Sequence, residues 1–293
     1  MELGLVVSHL HLRSEDSALL SLLHRCEPQL RDLNVILHAI GNTYDTVARS
    51  GVLATYPGLR RYANDRYTGL VRMTAAVVGG DMEVLDGVIY LAPPDDASTL
   101  FPETLTLKRQ CLIHAKPFLS TVASVIDWLE TEYVLTGRPS RPHTASAVDT
   151  APSQALALIA HDGTKPAMLA FVGMYFDLLS RFSRRVSTGT TGLRLNELAR
   201  ERGWPPDIAW TTCYESGPLG GDVQIANLIL MRQCQRVIFF SDPLVPHQHE
   251  VDIRLLERAI TLNTEETTYI ASPVTASRWA EAAQRRMNER CAS

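Results

Sequence analysis

Short apolar runs alternate with stretches of helical periodicity along much of the chain. In the second half, residues 156–160, 185–187, 237–240 and 267–271 have the length and composition of strands. Residues 166–182, 193–202, 223–235, 252–261 and 275–288 instead repeat their apolar positions at helical spacing. Such alternation predicts an α/β architecture, a mainly parallel sheet with helices on both faces. Sheets of this kind bind ligands beyond the carboxyl ends of their strands. His161, the turn from Thr188 to Thr191, and Asp242 each follow a predicted strand directly, so one cleft can collect them.

Residues 137–154 carry Pro, Ser, Thr and Ala without apolar periodicity, the composition of a linker. They divide the 293-residue chain into units 1–136 and 155–293, each large enough to bury a core. The units echo one another. Each opens on an apolar run ending in histidine, Leu5-Val6-Val7-Ser8-His9 and Leu158-Ile159-Ala160-His161. Each has a glycine turn ahead of helical text, Ile40-Gly41-Asn42-Thr43 and Thr188-Gly189-Thr190-Thr191. Each has a Gly-Gly-Asp, at Gly79-Gly80-Asp81 and Gly220-Gly221-Asp222. A tandem duplication is expected.

Composition narrows the partners. A formal net charge of -4 supplies no basic field for nucleic acid. The five cysteines are scattered without a C-x-x-C pair, which argues against a disulfide framework or a zinc site and for a reducing cytoplasm. No apolar run approaches the ~20 residues that span a bilayer. The first residues lack the basic start and long apolar core of a signal peptide. A cytoplasmic protein without a membrane segment is expected.

Candidate chemistry concentrates in the second unit. Ser216-Gly217-Pro218-Leu219-Gly220-Gly221-Asp222 sets glycines and a hydroxyl before a carboxylate that opens a helical run. The glycines let backbone approach a ligand closely. The helix start favours the ionised, proton-accepting carboxylate. A glycine turn with an aspartate cap is common by itself, so the other motifs decide. Thr188, Thr190 and Thr191 offer hydroxyls, and with Gly189 they offer backbone N–H groups at a helix start, a setting suited to phosphate.

Together, His161-Asp162-x-x-Lys165, Thr188-Gly189-Thr190-Thr191-Gly192, the Ser216–Asp222 segment, and Asp242-Pro243-Leu244 with His249 and Asp252 resemble methylglyoxal synthase in order and spacing. The resemblance covers roughly residues 155–283. It implies two tandem domains of that family's fold and conversion of dihydroxyacetone phosphate to methylglyoxal and inorganic phosphate, without cofactor or metal. Asp222 then matches the base that removes a C3 proton, and His249 the group that moves protons between substrate oxygens. His249 is preferred to His247 because it stands seven residues after Asp242 and three before Asp252. Lys165, Ser216 and Gly217 join the threonine turn on the phosphate, and His161 matches a substrate-binding position. Asp162, Asp242 and Asp252 match acidic residues that orient the site. The family's homo-oligomers often contain about six domains, a number that a chain with two would reach as a trimer.

The chain departs from the family at Gln248, where a proline is usual, and at Ser272, where an asparagine is common. A late arginine that reaches a neighbouring subunit has no secure counterpart among Arg285, Arg286 and Arg290. In the first unit, aligning the Gly-Gly-Asp strings sets Ala75 and Ala76 opposite Ser216 and Gly217. Leu10 and Arg13 then stand opposite Asp162 and Lys165, and Tyr44 replaces a glycine of the phosphate turn. Only His9 and Asp81 survive of the polar set, so a folded but inactive domain is expected. The competing expectation is a phosphate-metabolite sensor that uses the second cleft for binding alone.

Overall fold

The computed structural model describes residues 1–8, 18–80, 84–138, 151–245 and 250–292, the last three by backbone alone. The chain divides into two compact units, Met1–Tyr133 and Val134–Ser293.

The first unit runs β1 (Glu2–Val7), α1 (Ala18–Asp32), β2 (Ile36–Ile40), α2 (Gly41–Ser50), β3 (Leu59–Ala63) and α3 (Arg66–Val78). It closes with β4 (Gly87–Leu91), α4 (Pro102–Ile113), β5 (Phe118–Leu119) and α5 (Val122–Leu135). Its sheet is parallel, in the order β3-β2-β1-β4-β5. The second unit runs β6 (Ala155–Ala160), α6 (Lys165–Met174), α7 (Phe176–Leu179), β7 (Arg184–Thr188), α8 (Gly189–Glu201) and β8 (Thr212–Tyr214). There follow α9 (Gly221–Leu230), β9 (Arg236–Phe240), α10 (Glu250–Leu262), β10 (Thr268–Ile270) and α11 (Pro273–Ala292). Its parallel sheet, β10-β9-β6-β7-β8, has the same order when its strands are counted from β6.

Continuous burial follows from helices on both faces of a parallel sheet. Every residue of β6 and of β9 is buried. One face of the second sheet packs Leu156, Leu158, Ile238 and Phe240 under α6, α7 and α11. The other packs Ala157, Ile159, Val237 and Phe239 under α9 and α10. This alternation is the strand period of two, with both sides covered.

Two expectations from periodicity change, and one strand is added. The run 166–182 is two helices, because Tyr175 leaves helical geometry at φ -111°, ψ 28°. The break lets Tyr175, Phe176, Leu178, Leu179 and Phe182 all enter one core. The run 223–235 ends early at Leu230, with Arg232 in the left-handed region at φ 56°. The edge strand β8 went unpredicted: its Thr-Cys-Tyr is only partly covered and carries no apolar run.

The ladders also correct the repeat. Ser8 and His161 each donate a backbone N–H to the last residue of the neighbouring strand, Leu91 and Phe240. The counterpart of His161 is therefore Ser8 rather than His9. The glycine pairs do not correspond: Gly79 caps the C-terminus of α3, whereas Gly220 and Gly221 open α9. Ala75 and Ala76 accordingly lie inside α3 and do not face Ser216 and Gly217. Asp81, His9, Leu10 and Arg13 lie outside the described residues.

Candidate active site

In the second unit β6 is where the chain order reverses, with β7 and β8 on one side and β9 and β10 on the other. Polar residues gather beyond the carboxyl ends of β6 to β9. The helices that follow these strands begin at this end, so their positive ends face the same space.

His161 leaves β6, and its Nδ1 accepts the backbone N–H of Asp242 at 2.8 Å. An accepting Nδ1 carries no proton, so in the neutral ring Nε2 is the N–H donor. The ring stacks edge-on against Phe239, with centroids 4.8 Å apart. Thr164 ties the turn down, its hydroxyl contacting the carbonyls of Phe240 at 2.6 Å and His161 at 3.0 Å. The carboxylate of Asp242 accepts the Leu244 N–H at 3.0 Å, while its Oδ2 lies over Gly163. His161, Asp242 and the 161–165 turn therefore form one unit at the ends of β6 and β9.

Lys165 opens α6, and its ammonium meets Asp162 at 2.5 Å. The Asp162 side chain is 96% exposed and that of Lys165 only 13%. The hydrogen bond and charge of Lys165 hold the Asp162 carboxyl below the usual range, with smaller effects from His161 and Arg194. Arg194 is thus an additional cation near this mouth, one that motif spacing did not single out.

The glycine turn opens α8. Thr188 is its N-cap residue, yet its hydroxyl makes no cap bond to the helix. Gly189 donates to the Glu215 carbonyl at 3.0 Å and lies so close to Ser216 that an added Cβ would stand 2.7 Å from its Cα. Only glycine permits this approach, which sets the threonine turn directly against the start of the Ser216–Asp222 segment. Thr191 contacts the Ala160 carbonyl at 3.5 Å, linking the turn to the end of β6. Thr190 is exposed.

Ser216 likewise begins a helical turn, Gly217–Leu219, without capping it by its side chain. Gly220, at φ 95°, then reverses the chain into α9. Asp222 falls in the first turn of α9 and is 1% exposed. Asp252 falls in the first turn of α10, half-buried. Since α9 and α10 pack together, both carboxylates sit at the same end of adjacent helices. His249 and His247 lie outside the described residues. Of the late arginines, Arg285 pairs with Glu281 at 2.6 Å and Arg286 is buried.

Among the described residues no group of His, Cys, Asp and Glu is placed to hold a metal ion, and no helix is long and apolar enough to cross a membrane. Cys26, Cys111, Cys213 and Cys234 are free.

Fold and cleft together define a protein of two α/β units of the doubly wound kind, with a polar site at the strand ends of one. No protein-family model matches the chain. It is 47% identical over 106 residues to a methylglyoxal synthase of Rhizobium etli, a match covering 36% of this chain and 78% of that protein. To a methylglyoxal synthase of Thermus thermophilus it is 40% identical over 113 residues, covering 38% and 80%. A crystal structure of methylglyoxal synthase from Elizabethkingia anophelis is 29% identical, covering 43% of this chain and 76% of that one at a TM-score of 0.35, too low to inform the site. The chain belongs to the methylglyoxal synthase family.

Proposed function

We propose that the second unit is a methylglyoxal synthase. The supporting observation is the approach of Gly189 to Ser216, which joins a hydroxyl-bearing helix start to a segment ending in the buried carboxylate of Asp222. A phosphate cradle and a base then share one strand-end cleft.

In this reading Thr188, Thr190, Thr191, Ser216 and Gly217 hold the phosphate of dihydroxyacetone phosphate, with Lys165 as a point charge. His161 donates from Nε2 to a substrate oxygen. Asp222 removes a C3 proton to give the enediolate, and His249 shuttles the proton between the two oxygens. The C–O bond to phosphate breaks with the electron pair leaving on phosphate, and the enol tautomerises to methylglyoxal. One substrate yields one methylglyoxal and one phosphate, with no redox change. Preorganised donors supply the stabilisation of the enediolate that a carboxylate base of ordinary strength requires. Asp242 and Asp252 orient the site, Asp242 through the tautomer of His161.

A coupled assay for methylglyoxal from dihydroxyacetone phosphate tests the reading. Phosphate binding without turnover would favour the sensor alternative. The first unit is proposed as a non-catalytic duplicate within a homo-oligomer, a trimer if about six domains assemble. Light scattering on the full chain measures that stoichiometry.

A further inference from the structure

The two units present a similar outer surface on matching sides of their sheets. On the first, Tyr67, Val71 and Val78 follow one another at intervals of four and seven along α3, which places them on one stripe. On the second, Val251, Leu255 and Leu262 repeat those intervals along α10, and Val223 and Leu230 stand seven apart on α9. All of these side chains belong to residues 41–78% exposed. Because α3 packs against α4 and α9 against α10, each stripe belongs to a two-helix face. The opposite side of the first sheet is covered by α1, α2 and α5, and these helices expose no large apolar side chain among the described residues. The exposure is therefore a property of one face rather than of the surface at large. Aligned apolar side chains of this kind, set among charges, mark an interaction surface.

The charges around the two stripes differ in sign. Helices α3 and α4 carry Arg66, Arg72, Lys108 and Arg109 against Glu103 alone. Helix α10 carries Glu250, Asp252 and Glu257 against Arg254 and Arg258, and α9 has no basic residue. Like faces would meet with like charge, whereas unlike faces meet with opposite charge. We infer that the α9–α10 face of one chain docks on the α3–α4 face of a second copy of this chain. The inference rests on the proposed homo-oligomer, whose interface it supplies, and not on the synthase assignment. Contact between unlike faces is the head-to-tail arrangement that closes into a ring. It also gives the first unit work that needs no chemistry at its strand ends, since it supplies half of every contact.

The experiment measures mass by light scattering for the full chain, for Val71→Asp, for Leu255→Asp, and for an equimolar mixture of the two variants. Each substitution sets a charge in one stripe at an exposed position, so secondary structure by circular dichroism should be unchanged. Wild type is expected to contain two or more copies, and each variant alone should fall to the mass of one chain. The mixture should recover a dimer, because one variant keeps an intact α9–α10 face and the other an intact α3–α4 face. Variants that each still pair alone, with nothing gained on mixing, would show like faces pairing and overturn the inference. Variants that both keep the wild-type mass would place the interface elsewhere and overturn it too. A wild type with the mass of one chain would overturn the homo-oligomer itself. Tyr67→Asp and Leu262→Asp, on the same two stripes, repeat the test if either first variant fails to fold.

Discussion

The ends of β1 and β4 in the first unit and of β6 and β9 in the second are topologically equivalent, yet they are filled in opposite ways. Over β6 and β9 stand His161 and Asp242, and beyond β8 a segment carries Asp222 into the first turn of α9. Over β1 and β4 the chain supplies its own anion. Asp96 accepts the Ser8 hydroxyl and, at 2.8 Å, the Ser98 N–H. Arg66, the first residue of α3, reaches the Ser98 hydroxyl at 3.0 Å and the Tyr90 hydroxyl at 2.6 Å. Tyr90 in turn meets Thr104 at 3.1 Å. A cation thus opens the helix equivalent to the one that a carboxylate opens in the second unit.

The missing piece is a segment of chain rather than a few side chains. Both units keep the close glycine, Gly41 against Asn64 and Gly189 against Ser216. Both keep the threonine two residues later, tied to the end of the first strand: Thr43 accepts the Val7 N–H at 3.2 Å, and Thr191 contacts the Ala160 carbonyl. Beyond that point they diverge. Asp65 directly follows Asn64 and caps α3 through the Thr68 N–H at 2.8 Å. After Glu215, the register equivalent of Asn64, the second unit runs through Ser216 to Gly220 before α9 begins, where the first has Asp65 alone. What a packed core requires is shared, and what positions a base is not.

The sharpest test of this contrast is Asp222→Asn. The amide keeps the shape and cannot take a proton, so activity should fall about 10³-fold or more while phosphate binding persists. Steady-state assay beside phosphate titration measures both, and a variant with near-normal turnover breaks the assignment. His249→Gln should cost about 10²-fold, because the amide still donates a hydrogen bond but does not shuttle protons. If it matches wild type while His247→Gln is impaired, the shuttle belongs to His247.

Next in size are Lys165→Ala and Thr190→Ala. Each would remove a proposed contact to phosphate, worth about 1.5–3 kcal/mol where charge assists it, roughly 10- to 150-fold in affinity. Lys165→Ala also leaves the exposed Asp162 carboxylate without its partner, so it should be the larger of the two. Calorimetric titration with inorganic phosphate reads the loss, and unchanged affinity in both variants refutes the cradle.

The alternation of apolar runs and helical text was enough for two parallel sheets with helices on both faces, because continuous burial writes itself into strand composition. Local chemistry was legible where one motif holds its own geometry, as at Gly189 and Gly220. Pairing between the units was not. Whether Ser8 or His9 stands over β1 depends on a ladder register, and shared Gly-Gly letters hide the opposite ends of α3 and α9. The Arg66–Asp96 network was equally illegible, since its members lie 30 positions apart and belong to no motif.

The smallest expected effect on activity, none, is also the one that separates the units most cleanly. Asp96→Asn removes a charge from the first unit and none from the residues assigned to the proposed site, so methylglyoxal production should be unchanged. Stability should not be. Burial pushes the Asp96 carboxyl up, but the Ser8 hydroxyl, the Ser98 N–H and the Arg66 charge together bring it below its ordinary value. A carboxyl held down on folding stabilises the protein above the unfolded pKa of about 3.9, and that stabilisation is lost as pH falls through the lower folded value. Urea titrations of wild type and variant should therefore differ by about 1–3 kcal/mol at pH 7 and converge in acid. A difference that persists unchanged in acid would assign the effect to packing rather than to charge. A loss of turnover at pH 7 would show that the first unit acts on the second, and the contrast between the two sets of strand ends would then have to be redrawn.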